Sequence, residues 1–172
     1  MRRLLSLILL ATLSVPASAA LPVGAKAPDF RTMGALGGKP FRLHLAEQLR
    51  HGPVVLYFFP KAFTKGCTLE ANAFSEAKEE FAKSGARVIG LSADDQATLK
   101  RFSVEHCRGK FPVATASPAT IKAYDVKLPM VTMSNRTSYV IARDGRIAMV
   151  HSDLDWKEHV SKTLAAVRAL KR

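Results

Sequence analysis

The stretch VVLYFFPKAFTKGC, residues 54–67, holds a strand, a stop and the start of a helix in one short run. Val54 to Phe59 is continuously β-branched and aromatic, which predicts a central strand buried on both faces. Pro60 ends it, because proline has no N–H to give to a ladder. A helix follows from about Lys65 to Lys83, with Ala73, Phe74, Ala77 and Phe81 on one apolar face and Gly85 as its stop. Cys67 therefore falls in the first helical turn. The unpaired N–H groups and positive dipole end there favour an anionic sulfur, the nucleophilic form of cysteine.

The neighbours of Cys67 suit such a sulfur. Thr64 lies three residues before it, so its hydroxyl can fall beside the sulfur across one turn. Gly66 has no side chain to screen backbone N–H groups from a pocket. Pro60 gives the rim an apolar wall and no competing donor.

Upstream, Asp29 to Leu43 reads as a hairpin turning near Gly37-Gly38. Ala86 to Ser92 is a second buried strand. Asp94 or Asp95 caps a helix through about His106, with Leu99 and Phe102 facing inward. Phe111 to Thr115 is a short strand, and Ser117-Pro118 opens a short helix. Thr137 to Ala142 and Arg146 to Val150 flank the turn Asp144-Gly145. Asp155 caps a last helix whose Val160, Leu164 and Val167 share a face. Strands alternating with helices, then an antiparallel pair, imply an α/β chain with a mixed central sheet flanked by helices. The order suits a thioredoxin-like fold with an N-terminal β-hairpin extension.

The chain begins with Arg2 and Arg3, an apolar run from Leu4 to Val15, and Ala17-Ser18-Ala19. A charged start, a short greasy stretch and an A-x-A site predict a signal peptide over residues 1–19, cleaved after Ala19 or Ala20. The run is short for a membrane span, which needs about 20 residues. The expected mature part, 20–172, is one domain without linker or repeat, exported and placed in the periplasm. The formal charge of +12 would suit anionic partners, but the basic residues are scattered and not interleaved with aromatics. A nucleic-acid platform and stable membrane insertion are not expected.

The segment Pro60, Thr64, Cys67 resembles the peroxiredoxin signature P-x-x-x-[TS]-x-x-C. The likeness extends to LPVGAKAPDF (21–30), VIGLSAD (88–94) and RTSYVIARDGRI (136–147), so it covers most of the chain. The branch it is most similar to is the bacterioferritin comigratory protein type. The resemblance implies a thiol peroxidase, antioxidant in effect. It would reduce hydrogen peroxide and organic hydroperoxides through a cysteine sulfenic acid on Cys67, with no metal or organic cofactor. Peroxide reduction needs an aimed thiolate, donors to hold the peroxide and a cation for the departing oxygen. The late hairpin of the family begins with that cation, which implies Arg136. Glu70 is a candidate to orient Arg136; a helix-surface glutamate is an equal reading. The chain departs from the pattern at Lys65 and Ala142. It also has Asn72 where many of the branch carry a second cysteine.

The sulfenic acid must be met by a thiol. Cys107, the other of the two cysteines, is expected near the end of the second long helix. Some of the branch keep a resolving cysteine there, which would require helix unwinding to bring the Cα atoms within about 7 Å. A spectator Cys107 or a static disulfide are the competing readings. The reductant would be a thioredoxin-like protein, glutaredoxin or a small thiol, and the protein a monomer or weak dimer. The alternative function is a thiol–disulfide oxidoreductase or redox-linked binding protein of the same fold. Such enzymes carry C-x-x-C at this junction, where this chain has Thr64 in the first place. His44, His51, His106, His151 and His159 have no metal-ligand spacing. Trp156 is expected to pack in the core.

Overall fold

The computed structural model describes residues 20–170; the proposed signal peptide, residues 1–19, lies outside them. The elements run β1 (Arg31–Leu36), β2 (Lys39–His44), α1 (Leu45–Leu49), β3 (Val54–Phe58), α2 (Lys65–Lys83), β4 (Arg87–Ser92), α3 (Gln96–Glu105), β5 (Val113–Thr115), α4 (Pro118–Ala123), β6 (Thr137–Ile141), β7 (Ile147–Ser152) and α5 (His159–Leu170). One seven-stranded sheet has the order β2-β1-β5-β4-β3-β6-β7. The centre β3-β4-β5 is parallel, and β6, β7, β1 and β2 are antiparallel to their neighbours. The N-terminal hairpin thus widens the sheet at one edge through β1 and β5.

Every residue of β3 is fully buried. Val54, Leu56 and Phe58 enter a core layer with Tyr124, Tyr139 and Ile121. Val55, Tyr57 and Phe59 enter the opposite layer with Phe74, Phe102 and Val167 from α2, α3 and α5. That second layer is largely aromatic. Tyr57 stacks on Phe74 at 4.5 Å and on Phe59 at 5.5 Å, and Phe59 stacks on Phe102 at 5.5 Å. Such pairs add about 0.5–1.5 kcal/mol each beyond area burial, so this layer fixes α2 and α3 against β3.

The local signals act as their chemistry predicts. Gly85 (φ +75°) closes α2 in a Schellman motif, with Ala86 N–H donating to Phe81 C=O and Gly85 N–H to Ala82 C=O. The Asp95 carboxylate accepts from Thr98 N–H and the Ser117 hydroxyl from Thr120 N–H. β5 is shorter than Phe111–Thr115 because Pro112 has no N–H for the ladder. The single-turn α1 has no counterpart in the sequence reading.

Two expectations are corrected. The last helix begins at His159, not after Asp155. The Asp155 carboxylate accepts from Lys157 N–H within an irregular stretch. There the Asp153 and Leu154 carbonyls turn toward His159 and Arg136 instead of entering a helix. Trp156 is half-buried and belongs to neither core layer.

Candidate active site

β3 ends at the rim of the sheet, and residues 59–64 are pinned there. Ser134 donates its hydroxyl to Phe59 C=O (3.1 Å), and Ala62 N–H donates to the Asp94 carboxylate (2.7 Å), which also accepts from Ser92. Asp94 therefore secures this loop, while Asp95 alone caps α3. Phe63 takes φ +65°, a backbone region that non-glycine residues enter at a cost and that clusters at functional sites. Its half-exposed ring sits edge-on to Phe102 (5.3 Å) and His106 (5.4 Å), with the Arg101 guanidinium 5.0 Å above it.

Thr64 is the N-cap of α2, and its hydroxyl donates to Lys61 C=O at 2.9 Å instead of bonding to the sulfur. The oxygen is left able to accept. Cys67 lies in the first turn and is 2 % exposed. Pro60, directly after Phe59 at the end of β3, is half-buried.

Arg136 lies just before β6 and is 6 % exposed. Its three nitrogens go to three partners. Nε donates to Leu154 C=O (2.9 Å), Nη1 to Glu70 Oε2, and Nη2 to Cys67 Sγ at 3.5 Å. The structure thus joins Cys67, Glu70 and Arg136, and Glu70 is fully buried, which excludes the surface reading. Burial pushes the Glu70 carboxyl up to about 8, against the opposing pull of Arg136.

Gly66 has a reason the sequence did not disclose. A Cβ there would stand 3.0 Å from Arg136 Nη2. Gly66→Ala is therefore expected to push the guanidinium off the sulfur and slow peroxide oxidation about tenfold. Alanine favours a helix over glycine by up to about 1 kcal/mol, so the thermal midpoint should not fall. Rapid-mixing oxidation and calorimetry on one preparation check both halves. An unslowed variant would show that Arg136 has room to spare.

His159 is the buried residue that sequence reasoning missed. It is fully buried at the start of α5, bonds to Ser138 Oγ (2.8 Å) and Asp153 C=O (3.0 Å), and stands 3.7 Å from Glu70 Oε1. Nothing in its surroundings, Glu158-His159-Val160, marks it apart from the other histidines.

Cys107 lies just past α3 and is fully buried in the same layer as Cys67. Both sulfurs are free thiols. Burial raises the Cys107 pKa well above the usual thiol range. The Ser75 hydroxyl bonds to the carbonyls of His106 (3.3 Å) and Cys107 (3.0 Å), tying this turn to α2. Among the described residues no cluster of ligands could hold a metal ion, and no helix is long and apolar enough to cross a membrane.

Comparison with known proteins shows the family of the chain. The AhpC/TSA family model matches residues 23–150. Chloroplastic peroxiredoxin Q of Oryza sativa subsp. japonica is 31% identical over 178 residues, covering 92% of this chain and 79% of the rice protein. The Arabidopsis thaliana peroxiredoxin Q is 34% identical, covering 85% of this chain and 67% of that protein. The crystal structure of peroxidoxin BcpB from Mycobacterium tuberculosis superposes with a TM-score of 0.75 at 32% identity, covering 86% of this chain and 97% of that one. The sheet with its flanking helices is the thioredoxin-like arrangement of these neighbours. The chain belongs to the AhpC/TSA family of peroxiredoxins and is a thiol-dependent peroxidase, oxidised by a hydroperoxide and reduced by a thiol.

Proposed function

We propose that Cys67 is the sulfur that attacks the peroxide, in an exported enzyme that passes through a sulfenic acid. The observation that carries this is Arg136 Nη2 at 3.5 Å from Cys67 Sγ in a nearly sealed site at a helix start. The guanidinium and the first-turn N–H groups stabilise the thiolate and then the oxygen that departs. Thr64 offers its free acceptor positions to the peroxide hydrogen. Pro60 walls the entrance without competing for the peroxide. Glu70 holds the guanidinium from the far side. Dithiol exchange as the primary reaction is not favoured, because the position of a second cysteine at the junction is Thr64.

The test mixes reduced protein with one equivalent of hydrogen peroxide and follows the mass of the Cys67 peptide. The expected result is oxidation far faster than that of free cysteine. A rate equal to free cysteine would remove Cys67 as an activated nucleophile.

We further propose that Cys107 resolves the sulfenic acid, after the turn that carries it lets go of Ser75. Its burial keeps it from reacting until then. Cys107→Ser should leave the first oxidation unchanged and stop the formation of an internal disulfide on a non-reducing peptide map. Unchanged steady-state turnover of that variant with a dithiol would reject Cys107 as the resolver. A thioredoxin-like protein, glutaredoxin or a small thiol supplies the electrons in this reading. The charged start and A-x-A segment at residues 1–19 support export to the periplasm, and the enzyme works as a monomer or weak dimer.

A further inference from the structure

Two buried groups beside Arg136 have no part in holding the sulfur: Oε1 of Glu70 and the imidazole of His159. Glu70 Oε2 accepts from Arg136, but Oε1 is buried without a hydrogen-bond partner. Facing it at 3.7 Å is His159 Nδ1. The tautomer of His159 follows from its other nitrogen. Nε2 lies 3.0 Å from Asp153 C=O, which can only accept, so Nε2 carries the hydrogen. Nδ1 is left with a lone pair, which takes the Ser138 hydroxyl hydrogen at 2.8 Å. A buried carboxylate oxygen that faces an imidazole nitrogen with no hydrogen to give is left without a donor, and one proton removes that cost.

The surroundings favour the carboxyl as its carrier. Burial raises Glu70 to about 8 and lowers His159 to about 4. From the sheet, the buried Tyr57 phenol, itself raised mainly by burial, interacts with Glu70 and Arg136. From β7, His151 packs at 4.5 Å on His159 and lies 3.4 Å from Lys162 Nζ, with burial holding it below its ordinary value. Lys162 is paired with Glu158 at 2.6 Å, and the Asp153 carboxylate accepts from Asp155 N–H. Among the described residues, Arg136 is the cation bonded to Glu70.

We propose that Glu70 holds a proton while Cys67 is reduced and releases it when Cys67 is oxidised, so that Glu70 succeeds the sulfur as the counter-ion of Arg136. The inference rests on the peroxidase reading. The Cys67 thiolate attacks the terminal oxygen of ROOH. An S–O bond forms, the O–O bond breaks, and RO⁻ leaves with the electron pair; the sulfur is oxidised and the peroxide reduced. The Glu70 proton ends on RO⁻ as ROH, and Glu70 is left as carboxylate. Arg136 faces one anion before the step and one after it, so the low-dielectric site never holds an unmatched charge. When thiol reduction returns Cys67 to thiolate, Glu70 takes a proton back. His159 is a positioning residue: with Nε2–H given to Asp153 C=O and Nδ1 accepting from the Ser138 hydroxyl, it offers Glu70 Oε1 no donor, and so favours the acid form of the carboxyl.

Infrared difference spectroscopy at neutral pH, before and after one equivalent of hydrogen peroxide, tests this, with the mass of Cys67 read on the same sample. The expected result is loss of a carboxylic-acid carbonyl band and gain of a carboxylate band in the native protein, both missing from Glu70→Gln. In His159→Phe, or in His159→Gln should the first not fold, the acid band of the reduced protein should move, since the group facing Oε1 has changed. Fast oxidation of Cys67 with no acid band lost overturns the proposal alone. An acid band unmoved by both His159 substitutions overturns His159 as a positioning residue. Slow oxidation of Cys67 overturns the peroxidase reading, and the proposal falls with it.

Discussion

Cys67→Ser is expected to lower the rate of reaction with peroxide by on the order of 10⁴-fold or more, to the background of ordinary thiols. A serine hydroxyl in the same turn does not ionise near neutral pH, so the helix start and Arg136 have no anion to stabilise there. The remaining sulfur cannot take over. Cys107 is fully buried, and burial lifts its thiol well out of the range where it would be an anion. Mass analysis after one peroxide equivalent measures this, and Cys67→Ser combined with Cys107→Ser separates the two sulfurs. A single variant that still gains an oxygen rapidly would mean that the nucleophile has been misassigned.

Arg136→Ala should slow the first oxidation by about a hundredfold, the scale of losing one preorganised donor from a site where charge develops. Its effect on stability should be smaller than the about 3–5 kcal/mol typical of a broken buried ion pair. Burial already holds the Glu70 carboxyl up to about 8, and Arg136 is what pulls it down. Without the guanidinium, Glu70 keeps its proton across the neutral range and no naked charge is left inside. Arg136→Lys distinguishes charge from shape. One ammonium cannot reach Leu154 C=O, Glu70 and Cys67 Sγ together as the three guanidinium nitrogens do. Lysine should therefore restore stability more than rate. Native-like oxidation kinetics in Arg136→Lys would show that the three-way grip is unimportant.

The placement of Cys67 was legible because everything that creates it is local. A both-faces-buried strand, a proline and a helix start follow one another within residues 54–67, and each acts through its own backbone. Capping residues such as Asp95 and Ser117, and the stop at Gly85, were readable for the same reason. Arg136 came from likeness to a family, since no local pattern marks an arginine that must meet a sulfur from the neighbouring strand. The late start of α5 was not legible, because Asp155 caps as well in a turn as in a helix. What decided the matter was the pull of Arg136 and His159 on the Leu154 and Asp153 carbonyls.

Local sequence was enough to place Cys67 in the first turn of a helix and to name the fold that carries it, because hydrophobic period, caps and breakers act between near neighbours. The burial of Glu70, the room that Gly66 leaves for a guanidinium, and the facing of His159 to an unpartnered carboxyl oxygen arise from long-range packing alone. Those facts depend on α2, α5 and the segment before β6 converging through packing. The fit of one buried group against another is a property of that convergence and of no single stretch of chain.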